Sequence, residues 1–162
     1  IMVRNFKLNS DFDADYFMFG IISHLHDYRL IWSINDKMQL RLQKVEDFKV
    51  FQDKKNETNS FSLYYYNDPQ SMKVYYFISN NGEKGLLFPE QKQTGYFFLV
   101  KGNVSPELKK DIIKNIYTIV NVLTVHTIAI DKIKNADNFF SDLELNMLDW
   151  AKKNKEEKSR KE

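Results

Sequence analysis

Six side-chain types in two short stretches could do chemistry in this chain. The first stretch runs Ser23-His24-Leu25-His26-Asp27-Tyr28-Arg29, and the second holds Pro89-Glu90 with Tyr96 six residues on. Histidines two apart converge on one face of a strand but not of a helix. With Asp27 beside them they raise the question of a metal, yet no HExxH and no spaced facial triad supports one. No metal is expected. Ser23 next to His24 or His26 is a conceivable nucleophile and base, but no Gly-x-Ser-x-Gly elbow surrounds it, and serine before a helix is ordinarily a cap. The third histidine, His126, stands far off in the sequence. Glu90 follows a proline that fixes the backbone and presents the next side chain reproducibly. Two readings stand equally for it, a Glu90–Tyr96 hydrogen bond as a local lock and a recognition loop. The glycine-bearing run from Asn80 to Gly85 lacks phosphate-loop spacing, so no nucleotide and no other cofactor is expected.

The element that must position the first stretch is a helix. Tyr16 to Ile22 is apolar on both faces and predicts a buried strand. It reaches Gly20, a short polar cluster, and then a 3.6-residue pattern that predicts a helix from about Leu25 to Met38. Leu25, Tyr28, Leu30, Ile31, Trp32, Ile34 and Met38 cover more than half its circumference, so the helix is expected to be buried on most sides, with Trp32 in the core. Asp27 and Asn35 fall inside that apolar arc and need partners. For Asp27 the expectation is the first helical turn, where free backbone N–H groups and the helix dipole favour a carboxylate. A polar functional pocket is the alternative.

The same stretch, Gly20 to Asn35, resembles the early segment of a small bacterial family named for a later motif, IPExxxVDY. That motif is similar to Phe88-Pro89-Glu90-Gln91-Lys92-Gln93-Thr94-Gly95-Tyr96, in which Pro89, Glu90 and Tyr96 match while Phe88, Thr94 and Gly95 replace Ile, Val and Asp. The resemblance covers roughly the first 140 residues in order and spacing. It implies a common fold unit and a cellular setting, and it carries no activity.

Further strands are expected at Val3 to Leu8, Leu40 to Leu42, Phe61 to Tyr66, Lys73 to Ser79, Tyr96 to Lys101 and Thr124 to Ile130. Val45 to Gln52 is ambiguous, and Asp53 to Asn59 reads as a charged loop. Asn67-Asp68-Pro69-Gln70 has the turn chemistry to make the second aromatic pair a hairpin. Its rings, Tyr64-Tyr65-Tyr66 and Tyr75-Tyr76-Phe77, form a pattern that stacks single-stranded RNA or packs beneath helices. Ser105-Pro106-Glu107 starts a helix as cap, first-turn proline and acid. Strand, helix and strand from Tyr96 to Ile130 make a crossover. Asp137 to Trp150 restarts a helical pattern, and the chain from Lys152 is almost all charge, expected to be helical at first and then frayed. The fold class expected is α+β: one domain over residues 1–140 with a mostly antiparallel sheet and packed helices, extended by a C-terminal helix and charged tail over 141–162.

A chain of 162 residues with 15% aromatic content and only 5 glycines and 3 prolines has the material for a regular core. A net charge of +2 gives no global pull toward DNA or an anionic membrane. Cysteine is absent, which removes disulfides and thiolate chemistry together and fits a reducing cytosol. Residues 1–15 carry charge without a long apolar run, so neither a secretory leader nor a membrane span is expected. The sequence thus predicts a soluble, cytoplasmic, non-catalytic accessory protein that binds a protein partner, or RNA. Its binding surface is expected over Ser23, His24, Asp27, Tyr28, Arg29, Pro89, Glu90 and Tyr96. The contrasting expectation is a small hydrolase in which His24, Asp27 and Glu90 share one pocket.

Overall fold

The structure, a computed structural model, describes residues 16–161. The strand expected at Val3 to Leu8 lies outside them. The chain is α+β, with a six-stranded sheet and three helices. Strand β1 is Tyr16–Ser23 and β9 is Tyr96–Lys101; β5 and β6 are Leu63–Asp68 and Lys73–Ser79; β10 is Val122–Ile128; and β2 is only Gln43–Lys44. They lie in the order β10-β1-β9-β6-β5-β2, every neighbouring pair antiparallel.

Helix α1, Asp27–Met38, follows β1; helix α2, Pro106–Tyr117, joins β9 to β10; and helix α3, Ala136–Lys161, ends the described chain. Since β9 and β10 both run antiparallel to β1, they are parallel to each other, and the α2 crossover straddles β1.

Alternation along β1 divides two cores. Phe19 and Ile21 point to the face covered by Leu30, Ile31 and Ile34 of α1 and by Ile112 and Ile116 of α2. Tyr16 and Met18 point to the other, with Phe139, Phe140, Leu143 and Met147 of α3. A sheet covered on both sides needs apolar residues at successive positions, which is why β1, β6 and β9 read as continuous apolar runs. The separate hairpin of β3, Phe48–Gln52, and β4, Glu57–Phe61, closes the α3 side by burying Phe48 and Phe61, and the two-residue strands β7, Asn81–Gly82, and β8, Gly85–Leu86, pair with each other.

Several local expectations shift. Leu40 to Leu42 is not a strand. The Asn35 side chain accepts the Leu42 N–H at 2.9 Å and donates to the Leu42 carbonyl at 3.0 Å, so a side chain takes the place of a ladder. The charged loop is shorter than expected, because β4 already begins at Glu57. The hairpin turn slides along, with Asn67 and Asp68 still paired to Val74 and Lys73. Helix α3 continues through Lys161 where fraying was expected. It is also part of the core as far as Met147, so the division at 140/141 falls inside an element.

The largest correction is at α1. Only Leu30, Ile31 and Ile34 are buried, while Trp32 is 71% exposed and Tyr28 62%. A helix lying against one sheet buries a single stripe, and the two rings fall on the opposite side.

Candidate functional site

The two sequence stretches meet the sheet at the same end but serve different surroundings. At the close of β1, the Ser23 hydroxyl donates to the Asn121 carbonyl at 2.9 Å and accepts the Leu25 N–H at 3.1 Å. Both bonds are to backbone, so Ser23 splices the strand end to the loop after α2. His24 and His26 are exposed. His26 stands at the N-cap of α1 with no side-chain cap bond, and its ring stacks on Tyr28 at 5.7 Å and 5°. Asp27 lies in the first turn, where Oδ1 accepts the Tyr28 N–H at 2.8 Å. Burial pushes the Tyr64 phenol up to about 12, with the neighbouring Asp27 carboxylate adding to the effect. Burial and the same carboxylate also raise Tyr96.

Tyr96 does not pair with Glu90. Its hydroxyl donates to the Leu25 carbonyl at 2.7 Å, across the sheet edge from the loop expected to hold it. The Glu90 carboxylate instead accepts the Lys134 N–H at 3.3 Å, on the α3 side. What fixes the Pro89-Glu90 loop is Asn80, fully buried at the end of β6. Asn80 Oδ1 accepts the Phe88 N–H at 2.8 Å, and Nδ2 donates to the carbonyls of Gln91 and Thr94 at 3.0 and 2.8 Å. One amide thus satisfies three backbone groups of a turn that has no ladder of its own, and Pro89–Gln91 closes into one turn of 3-10 helix.

His24, Asp27 and Glu90 do not share a pocket. Glu90 lines a hollow of about 290 Å³ with Ile22, Thr94 and His126 and contains neither of the other two. The His126 ring lies over the backbone of Gly20, where a Cβ would come within 2.7 Å of Nε2. A Cβ at Gly20 would force the His126 ring and the end of the Ile128 side chain to shift, and it is His126, not His24, that lines the hollow with Glu90. Among the described residues, no group of three or more His, Asp or Glu stands in position to hold a metal. Of the six rings of the aromatic hairpin, Tyr64, Tyr75, Tyr76 and Phe77 are buried in the two cores, while Tyr65 and Tyr66 are half-buried against them.

The other predicted residues, Tyr28 and Arg29, open on a groove of about 770 Å³ between α1 and the turn after α2. Trp32, Ser33, Asp36 and Lys37 continue its α1 wall, and residues 118–121 form the opposite wall, where Val120 is 79% exposed. The expected single surface is therefore two: a groove with Tyr28 and Arg29, and a hollow with Glu90. Trp32 and Val120 were missing from the expected surface because helical periodicity counts apolar residues without ranking them. The available signal was an excess of apolar positions over what one buried stripe can hold.

A different cluster ties α3 to the sheet. The Tyr16 hydroxyl and the Lys101 ammonium both bond Glu144 Oε1, at 2.7 and 2.6 Å. Burial raises Tyr16 and Tyr76 well above the ordinary phenol range. Burial acts to raise Glu144 as well, but the bonds from Lys101 and Tyr16 outweigh it and hold the carboxyl below its usual value.

No helix among the described residues is long and apolar enough to cross a membrane. No family model, no curated protein and no solved structure matches the chain.

Proposed function

We propose that the chain is a non-catalytic, cytoplasmic accessory protein that docks a protein partner in the groove beside α1. The observation that carries this reading is Trp32, 71% exposed, with Tyr28 and Val120 beside it. Contiguous exposed apolar surface with a charged rim is the mark of an interaction site. Tryptophan, tyrosine and arginine are the residues that dominate binding energy at such sites, and Tyr28, Arg29 and Trp32 are all at hand. Arg29 and Lys37 are too few to hold a phosphate backbone, and four of the six hairpin rings are buried, so a protein partner is favoured over RNA. The lack of cysteine supports the cytoplasmic setting. Kinship with the IPExxxVDY family belongs to the same proposal, supported by the matches at Pro89, Glu90 and Tyr96.

The test is capture by immobilised full-length protein from its own cell extract, with mass spectrometry and RNA sequencing of the bound material. Wild type should retain a defined protein that Trp32→Ala loses while remaining folded. Equal capture by both forms would refute the groove as the docking site.

A further inference from the structure

The α1 wall of the groove has a hidden symmetry. It consists of Tyr28, Arg29, Trp32, Ser33, Asp36 and Lys37. These positions pair off about a midpoint between Trp32 and Ser33: 28 with 37, 29 with 36, 32 with 33. When two copies of a helix cross antiparallel at such a midpoint, residues equally displaced from it lie at the same height. Arg29 then meets Asp36 of the second copy, and two-fold symmetry makes that contact twice. Tyr28 and Lys37 stand about 90° to either side of the Arg29–Asp36 line, so Tyr28 forms the rim on the Trp32 flank and Lys37 the rim on the other. Trp32 lies about 50° to one side of the Arg29–Asp36 line, and a two-fold keeps each flank on its own side, so Trp32 meets Trp32 of the second copy, ring against ring. No like charges fall at equal heights. Among the described residues, Arg29, Asp36 and Lys37 make no ion pair within the chain, so their charges remain to be matched from outside.

We propose that the partner seated in this groove is a second copy of the same chain, joined α1 to α1 across a two-fold axis. The inference rests on the reading of the groove as a docking site and names its occupant. An isologous contact of this kind requires one patch to complement itself, and the pairing of Arg29 with Asp36 and of Trp32 with its own copy meets that requirement. The Tyr28 and Trp32 rings of two copies bring roughly 500 Å² into contact, allowing for what is already buried. Arg29, Lys37 and Val120 around them carry the total toward the ~1,200 Å² at which specific interfaces begin. The dimer is therefore expected to be reversible and dependent on concentration.

Sedimentation of the full chain across the micromolar range tests it. Wild type should pass from monomer to dimer. Arg29→Asp or Asp36→Arg alone sets like charges opposite each other and should weaken dimerisation about tenfold or more. The double variant R29D/D36R reverses both charges and should restore it, which also guards against misreading a folding defect. Trp32→Ala should leave a folded monomer. A dimer indifferent to these changes would place the contact elsewhere and overturn the inference. A monomer that still captures a different protein through Trp32 would overturn it while leaving the docking reading intact. A monomer that captures nothing through Trp32 would overturn both. A monomer whose Trp32, in a Trp150→Phe background, is shielded from a quencher would assign the groove to this chain's own first fifteen residues, and would overturn it too.

Discussion

The Tyr16 hydroxyl donates to the Glu144 carboxylate at 2.7 Å, joining the first residue of β1 to the middle of α3. Lys101, across the sheet on β9, donates to the same oxygen. One carboxylate thereby adds a polar tie to a helix whose Phe139, Phe140, Leu143 and Met147 are already buried against the sheet.

This arrangement gives a pH dependence. Glu144 is held below its ordinary value when folded, so its contribution is full above the unfolded carboxyl range and is lost as pH falls through the folded value. The carboxylate is about a third exposed, which screens the pair and limits the effect to about 1 kcal/mol or less. Denaturant melts from neutral pH downward should show stability declining through the acid range. Glu144→Gln should be less stable at neutral pH and flatten part of that decline. An unchanged slope would show that Glu144 is not its source.

Asp27 should act through the first turn of α1 and through Tyr64. Asp27→Ala should cost about 1 kcal/mol, and Asp27→Asn somewhat less, since the amide keeps an acceptor but loses the charge. The raised Tyr64 stabilises the fold fully below the ordinary phenol range and loses that effect as pH climbs toward about 12. Removing the Asp27 charge should therefore bring the Tyr64 and Tyr96 phenols down in an ultraviolet titration, with burial keeping both above the ordinary value. Identical titration curves for wild type and Asp27→Asn would count against the contact.

Trp32→Ala should change the unfolding free energy by less than about 1 kcal/mol, because an exposed ring leaves no cavity behind. The sequence reading, which placed Trp32 in the core, requires a loss of roughly 3–5 kcal/mol. Urea midpoints of the two proteins separate these outcomes directly.

Asn80→Ala should destabilise by about 2–4 kcal/mol, since it strips partners from the Phe88 N–H and from the Gln91 and Thr94 carbonyls in a site without solvent. Hydrogen exchange should show the loss concentrated in the Phe88 to Tyr96 loop. Uniform loss across the sheet would mean the loop is held by something else.

The contrast between Asn80 and Trp32 shows what the sequence made legible. Strands β1, β6 and β9 were readable because a sheet covered on both faces demands apolar residues at every step. The start of α2 was readable because Ser105 caps Leu108 within one turn. Both signals are local. Asn80 looked like the end of a strand, since its partners lie 8 to 14 residues away in a loop without periodicity. Trp32 looked like core because an apolar arc cannot say which of its members the sheet will meet. Glu90 and Tyr96 bond different partners because six residues of separation say nothing about which side of the sheet each will face.

Strand β1 takes both of its neighbours, β9 and β10, from far along the chain, the nearer of them beginning only at Tyr96. In order of synthesis it is therefore made long before either edge can be paired, with Phe19, Ile21 and Met18 exposed on its two faces in the meantime. The hairpin of β5 and β6 can close early, but the centre of the sheet cannot. Such non-local pairing slows folding and lengthens the interval in which open edges invite association. A ribosome-stalled chain ending before β10 should thus bind a general chaperone, and release from it should follow the emergence of Ile128 rather than of α1.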